Sequence, residues 1–248
     1  MRRKITVSIV NYKTPDDTIA CIKSILVHTQ NVEIIVSDNN SADGSAEKIK
    51  KTFPKIKFIQ NKENLGFGKA HNQVIAAAKG EYVAIVNPDI LVEKDALNTL
   101  IKYLDDHEEA NIVAPALYGL DHKRQPSCFA HPTLFVPFYI RRWPFKYLFK
   151  KTLARYQLEH LDLSKPQQVP WASGAFLVMR KKWYFDPSYF MYIEDADLCR
   201  RVGNIYYTPQ ANVIHKGGFK SRKSLKFWWI HSTNMVYYLW KFRGAPKV

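Results

Sequence analysis

Apolar and polar positions alternate along the first hundred residues in two rhythms. A short apolar run over 5–10 is closed by a polar turn, NYKTPDD. The spacing then changes, and Ile19, Ile22, Ile25 and Leu26 recur at helical intervals. Thr14, Pro15, Asp16 and Asp17 predict how that helix begins. They supply a capping hydroxyl, a proline in the first turn and acids at the positive end of the dipole. The couplet repeats as a strand over 33–37 ending in DNNSADGS and a helix over about 46–52. It repeats again as a strand over 56–59, the turn NKENLGFG and a helix over 69–78. A last copy has a strand over 82–86 and a helix over 94–104.

These strands are apolar throughout and their connections are short. That combination predicts an α/β fold with a mostly parallel central sheet and helices on both faces. Ligands of such sheets bind outside the carboxyl ends of the strands. The ends here are Asn11-Tyr12, Asp38-Asn39-Asn40, the turn over 61–66, and Asn87-Pro88-Asp89. Each carries Asn or Asp, so this edge is the expected crevice, with Asp38 and Asp89 facing it.

Beyond Val113 the pattern loosens. Residues 118–168 hold scattered prolines, aromatics and bases, and RRWPFKYLFKKTLAR has six bases and no acid. Strand-like text returns as VPWASGAFLVMRKKWY and NIYYTPQANVIH, separated by FDPSYFMYIEDADLCRR. Residues 221–242 read as a helix rich in Trp, Tyr and Lys. No repeat, low-complexity tract or linker divides the chain, so 1–248 is expected to be a single domain ending in an aromatic and basic helical tail.

Composition narrows the function. An apolar fraction of 46% suits an ordinary core, and a net charge of +15 points to acidic partners. Three widely spaced cysteines without a CxxC pair argue against a disulfide framework or zinc site and for a reducing cytoplasm. The basic, then apolar, start reads as a first strand, since it alternates with Thr and Ser and lacks a small-residue cleavage pattern. No apolar run reaches the roughly 18 residues of a membrane-spanning helix.

Four constellations carry possible chemistry. Asp89, on a turn fixed by Pro88, either caps the following helix or holds a hard divalent cation such as Mg²⁺ or Mn²⁺. Glu194, Asp195 and Asp197 follow an aromatic run; they form either a capped, ion-paired helix start or a general base with a raised pKa. Trp171 with Ser173-Gly174 is either a buried tryptophan beside a bend or a place where a ligand approaches the backbone. His215 ends a strand and matters chemically only if it meets Asp89. The turn NLGFGKAHN lacks the third glycine of a dinucleotide fingerprint, His71 standing in its place, and GxxxxGK[ST], HExxH and GxSxG are absent.

Read in order, SIVNY, VSDNNSADGS, NLGFGKAHN, VNPD, WASGAFLVMR, YIEDADLCRR and VIHKGG resemble the inverting, family 2 nucleotide-sugar glycosyltransferases of the GT-A fold. Within that family NPD, SGAF and EDADLCRR look most like bacterial rhamnosyltransferases of surface-polysaccharide assembly. The resemblance implies a Rossmann-like GT-A domain with a nucleotide-binding half over 1–115, an acceptor and catalytic half over 116–218 and a tail over 219–248. It implies that Asp38 contacts the nucleotide base and that Val10, Tyr12, Asn40, Asn64, Gly66, Phe67, Asn72 and Asn87 line the nucleotide-sugar pocket. Asp89 would hold the metal against the donor diphosphate, with His215 completing that site. Asp195 would be the catalytic base with Glu194 beside it, and Trp171, Ser173 and Gly174 would shape the sugar and acceptor site. Many relatives carry Asp-x-Asp where this chain has Asn87-Pro88-Asp89, so the metal would lean on diphosphate oxygens.

The implied donor is dTDP-rhamnose or a UDP-hexose, and the implied acceptor a saccharide or lipid-diphosphate-linked saccharide. The bases and aromatics over 141–155 and in the tail predict peripheral attachment to an anionic membrane, on the cytoplasmic face of a bacterial cell, or else a solvated basic face over an aromatic core. Two rivals stand beside these expectations: a catalytically silent nucleotide-sugar binder, and a nucleic-acid-binding α/β protein. Acids at the strand ends disfavour the latter.

Overall fold

The computed structural model describes residues 4–133, 149–217 and 225–244. The expectations placed on 141–148, on Lys220, Arg222 and Lys223, and on the Lys226 side chain lie outside the described residues.

The four predicted couplets are present. They are β1 (Ile5–Asn11) with α1 (Pro15–His28), β2 (Glu33–Asp38) with α2 (Ser45–Thr52), β3 (Lys57–Gln60) with α3 (Phe67–Ala77), and β4 (Tyr82–Val86), followed by α4 (Ala96–Asp106). β2, β1 and β4 are nearly continuous apolar text because both sheet faces are covered. Along β4, Val83 and Ile85 belong to an apolar cluster with Ile75 of α3, while Ala84 and Val86 belong to another with Ile22 and Ile25 of α1 and Leu100 of α4. β3, β2, β1 and β4 lie side by side in parallel. Their carboxyl ends therefore share one edge.

The second half attaches to β4. It contains β5 (Ile90–Val92), β6 (Ile112–Tyr118), β7 (Arg124–Gln125), β8 (Cys128–Phe129), α5 (Lys150–Tyr156), β9 (Gln167–Val169), β10 (Trp171–Ala172) and β11 (Phe176–Arg180). These are followed by α6 (Glu194–Val202), β12 (Ile205–His215) and α7 (Leu225–Lys241). β11 runs antiparallel between β4 and β6, and the sheet continues through β12 to β5.

Three local expectations are corrected. Thr14 stands before α1 but its hydroxyl caps nothing; it donates back to Asn11 Oδ1 at 3.3 Å. The text after Asp89 does not pass straight into a helix, because Ile90–Val92 first pairs with β12. VPWASGAFLVMR is three short strands rather than one, β9, β10 and β11, with β10 paired to β8 in a separate small sheet. Cys21, Cys128 and Cys199 are free and buried.

Candidate active site

At the ends of β1 and β2 the polar text folds inward. Asp38 is 1% exposed. One carboxylate oxygen accepts from Asn11 Nδ2 and from the Ser41 hydroxyl, both at 2.6 Å; the other accepts from the Ser41 amide at 3.0 Å. Asn39 donates to the Gly66 carbonyl at 2.8 Å and accepts from Asn61 at 2.9 Å. The structure thus shows Asp38 as an organiser of its loop, with both oxygens engaged by protein. Around it Val10 is half-buried, while Tyr12 and Asn40 are exposed, Tyr12 with the Lys13 ammonium 5.5 Å from its ring centre.

The turn before α3 joins the two halves. Asn64 Oδ1 accepts from the Gly66 amide at 2.9 Å, and the Phe67 amide donates to the Phe190 carbonyl at 2.8 Å. Asn72 donates to the Phe185 carbonyl and accepts from the Phe185 amide, at 2.8 and 2.9 Å. Asn72 is therefore a brace across the halves, its amide committed to backbone, where sequence reasoning had placed it in the pocket lining. Phe67 packs edge-on against His71 and Phe185.

Asp89 and His215 meet because Ile90 pairs with His215 in the β5–β12 ladder. His215 Nε2 lies 3.5 Å from Asp89 Oδ2, both side chains half-buried. The Lys216 amide donates to the Asp89 carbonyl at 3.0 Å and fixes the turn. On its other side the His215 ring meets Gln125. Among the described residues no group of three or more His, Cys, Asp and Glu gathers as a complete metal cage. A carboxylate oxygen and an imidazole nitrogen at this separation fit two neighbouring positions on one Mg²⁺ or Mn²⁺, which ordinarily takes its remaining ligands from substrate phosphates and water. Asn87 shares this corner, its amide donating to the Ala175 carbonyl at 2.9 Å.

One residue from that contact is Gly174, whose amide donates to Asp195 Oδ2 at 2.9 Å. Asp89 and Asp195 are thus joined through the corner where β4 ends and β11 begins. The Ala196 amide donates to Asp195 Oδ1, also at 2.9 Å. Burial raises the Asp195 pKa, against the opposing pull of these backbone donors. The three acids of α6 have separate fates set by helix geometry. Glu194 and Asp197, three apart, are both buried. Asp197 accepts from Arg201 at 2.6 Å and from Lys241 of α7 at 2.6 Å, so for this residue the ion-paired reading is the right one. Asp195 lies between them, only half-buried. Ahead of α6, Tyr192 and Ile193 have φ of 73° and 70°. A β-branched residue there stores roughly 1–3 kcal/mol of strain. Asn234 of α7 braces this corner by donating to the Met191 and Tyr192 carbonyls at 2.8 and 3.3 Å.

Glu194 has no partner for Oε2 among the described residues. Burial, then the neighbouring Asp195 charge, pushes its pKa well above the ordinary 4.5. The folded chain therefore keeps a proton that the unfolded chain releases above that value. Stability linked to this proton is full below pH 4.5 and is lost as pH rises through the folded pKa. Glu194→Gln lacks the linkage. Its stability relative to wild type will rise with pH by up to about 1.4 kcal/mol per unit in that window. Urea melts of both proteins from pH 4 to 8 check this, and a constant difference overturns it.

Gly174 sits where a side chain would come within 3.3 Å of Asp195 Cβ and of the Phe67 ring. Ser173 is half-buried beside it, and its amide donates to the Ser127 carbonyl at 2.8 Å. Trp171 is 6% exposed, donates to the Ala130 carbonyl at 2.7 Å and stacks on Phe129 at 4.8 Å. The buried-tryptophan reading is the one the structure supports. Sequence reasoning missed Gln125 and the α7 brace. Gln125 carries no local signal, standing in a two-residue strand; Asn234 and Lys241 read only as part of a tail rich in Trp, Tyr and Lys.

Fold and site together define a class: an α/β protein whose acids and His215 gather along the carboxyl edge of its sheet. More narrowly, the chain belongs to glycosyl transferase family 2, whose model matches residues 6–185. Asp195 and His215 lie beyond that match. An N-acetylglucosaminyl-diphospho-decaprenol L-rhamnosyltransferase of Mycobacterium tuberculosis is 28% identical over 213 residues, covering 74% of this chain and 66% of the relative. Rhamnosyltransferase WbbL of Escherichia coli is 27% identical over 170 residues, covering 60% of each. The chain thus spans about two thirds or less of the length of these curated relatives. Among solved structures, the mannosyltransferase PcManGT from Pyrobaculum calidifontis, in complex with GDP-Man and Mn²⁺, superposes with TM-score 0.63 at 15% identity, over 100% of this chain and 66% of that one. S. aureus TarS 1–349 in complex with UDP gives TM-score 0.57 at 17% identity, over 85% and 60%. These likenesses establish the GT-A fold.

Proposed function

We propose that the chain transfers a sugar from a nucleoside diphosphate to an acceptor hydroxyl, with inversion at the anomeric carbon. The observation that carries this is Asp195: a half-buried carboxylate, oriented by two backbone amides and linked through Gly174, Ala175 and Asn87 to the turn that carries Asp89. Asp195 takes the proton of the acceptor hydroxyl as its oxygen bonds to the anomeric carbon. The bond from that carbon to the diphosphate breaks, and its electron pair leaves with the nucleoside diphosphate. Proton transfer to a positioned base contributes roughly 10²–10⁴ in rate. Asp89 and His215 would hold a divalent cation, Mg²⁺ or Mn²⁺, which supplies counter-charge to the leaving diphosphate.

The relatives' names support rhamnose as the sugar, and one of them a lipid-diphosphate-linked saccharide as acceptor; with them we propose dTDP-rhamnose as donor and a saccharide or lipid-diphosphate-linked saccharide of surface-polysaccharide assembly as acceptor. Thermal shift and transfer assays with dTDP-rhamnose, UDP-hexoses and GDP-mannose, each with Mg²⁺ or Mn²⁺, test this. Stabilisation and turnover with dTDP-rhamnose are expected. Turnover with a UDP-hexose alone overturns the donor. Binding without turnover favours a silent binder, and salt-sensitive RNA binding without any donor response overturns the whole reading.

The proposed working place is the inner face of a bacterial membrane. Trp229 (64% exposed), Val236 (68%) and Trp240 (58%) recur on the outward side of α7, and the chain carries +15. Aromatics with a cationic surround are suited to an anionic lipid interface. Among the described residues no helix is long and apolar enough to cross a membrane. Other tail residues serve the core, for Tyr238 is buried and Lys241 bonds Asp186 and Asp197. Trp229→Ser with Trp240→Ser is expected to reduce sedimentation with anionic liposomes at low salt severalfold; equal sedimentation of the variant and wild type removes the proposal.

A further inference from the structure

We infer that Gln125 is a positioning residue that fixes the ring proton of His215 on Nδ1 and so presents a bare Nε2 to Asp89. Both ends of the Gln125 amide meet one residue. Nε2 donates to the His215 carbonyl at 3.1 Å, which leaves Oε1 facing His215 Nδ1 at 2.9 Å. A carbonyl oxygen only accepts, so Nδ1 carries the hydrogen, and in the neutral ring Nε2 keeps its lone pair. The reversed amide would set its oxygen against the His215 carbonyl, two acceptors face to face, so that backbone carbonyl fixes the orientation of the amide.

Two glycines lie beside this amide. A side chain at Gly119 would come within 3.2 Å of Gln125 Nε2, and one at Gly217 within 3.5 Å. Gln125 faces Leu117 of β6 in one ladder, and Leu117 faces Val213 of β12 in another, so the sheet itself sets its distance from His215.

The consequence lies at Asp89. Without Gln125, an Nε2–H tautomer would donate to Asp89 Oδ2, 3.5 Å away, and the pair would close on itself. With Gln125, two acceptor atoms face one another, an arrangement that a cation between them satisfies. This consequence rests on the cation site proposed above, but the tautomer can be read without any metal. Groups behind a metal-binding histidine that set its tautomer typically change metal affinity 10–100-fold when removed.

The test uses the full chain labelled with ¹⁵N-histidine, free of metal, at about pH 8.5 where an ordinary imidazole is neutral. Long-range ¹H–¹⁵N spectra, assigned with His215→Gln, are expected to show the His215 proton on Nδ1 in wild type and on Nε2 in Gln125→Leu. Gln125→Glu retains an acceptor for Nδ1–H and is expected to keep the wild-type tautomer, so loss of fold in Gln125→Leu would not remove the test. Mn²⁺ alone, titrated by electron paramagnetic resonance, is expected to bind Gln125→Leu at least about tenfold more weakly than wild type. A wild-type proton on Nε2, or one that Gln125→Leu leaves in place, overturns the inference. The expected tautomers with no Mn²⁺ binding by wild type uphold Gln125 and overturn the cation site.

Discussion

Asp195→Asn will abolish sugar transfer, lowering kcat by roughly 10²–10⁴ or more, while donor affinity stays close to wild type. Asn keeps an oxygen for the Gly174 amide and occupies the same volume, so the contact joining β11 to α6 is retained while the bond from the Ala196 amide is lost. It has no lone pair basic enough to take the acceptor proton. Donor affinity is spared because the proposed diphosphate contacts fall to Asp89 and His215. The pH profile adds a second readout. Burial raises the Asp195 pKa, so the base is ionised only above the usual aspartate range, and the acidic limb of wild-type kcat will lie above the ordinary 3.8. Single-turnover transfer and donor titration of both proteins check the prediction. Transfer by Asp195→Asn within tenfold of wild type would remove Asp195 from the role of base and return attention to Glu194.

The same two carboxylates show where sequence is legible. The first half could be read because β2 and β4 are buried on both faces, and continuous apolar runs closed by Asn or Asp report that directly. The edge they define is where Asp89 and Asn87 stand. What could not be read depends on pairing between distant segments. Asp89 meets His215 only through β5, three residues that carry no periodicity of their own. Glu194, Asp195 and Asp197 were grouped correctly. Their division into a buried acid with a raised pKa, the proposed base and an ion-pair partner needs α6 placed against Gly174 on one side and Lys241 on the other. Asp38, Asn72 and Trp171 have the residue types of ligand contacts, yet all three are bonded within the protein. Polar type and motif position predict that such a residue matters. They do not distinguish a group that touches a ligand from one that holds the wall in place.

Gly66→Ala will cost on the order of 3–5 kcal/mol of stability, the sum expected from a Gly-only backbone conformation and an overpacked contact. Gly66 has φ 80° and ψ −169°, which L side chains rarely adopt. Independently of that strain, a Cβ there would lie 2.1 Å from the Phe190 carbonyl oxygen. That oxygen is not free to move, since it accepts the Phe67 amide at the start of α3. Nor can Gly66 retreat, because its own carbonyl accepts from Asn39 and its amide donates to Asn64. The methyl group must therefore push apart the 64–67 turn and the segment leading to Tyr192, Ile193 and α6. Phe67 would move with the turn, and its ring lies against the position of Gly174, beside Asp195. Two losses are expected together: a lower urea midpoint, and a reduced kcat in whatever fraction remains folded. Asn72→Ala breaks the neighbouring brace to Phe185 without touching this contact and is expected to cost only about 1–3 kcal/mol. A Gly66→Ala protein as stable as wild type would mean that the first and second halves of the chain are not clamped at this turn, and that Asp195 owes its position to α7 and the β11 corner alone.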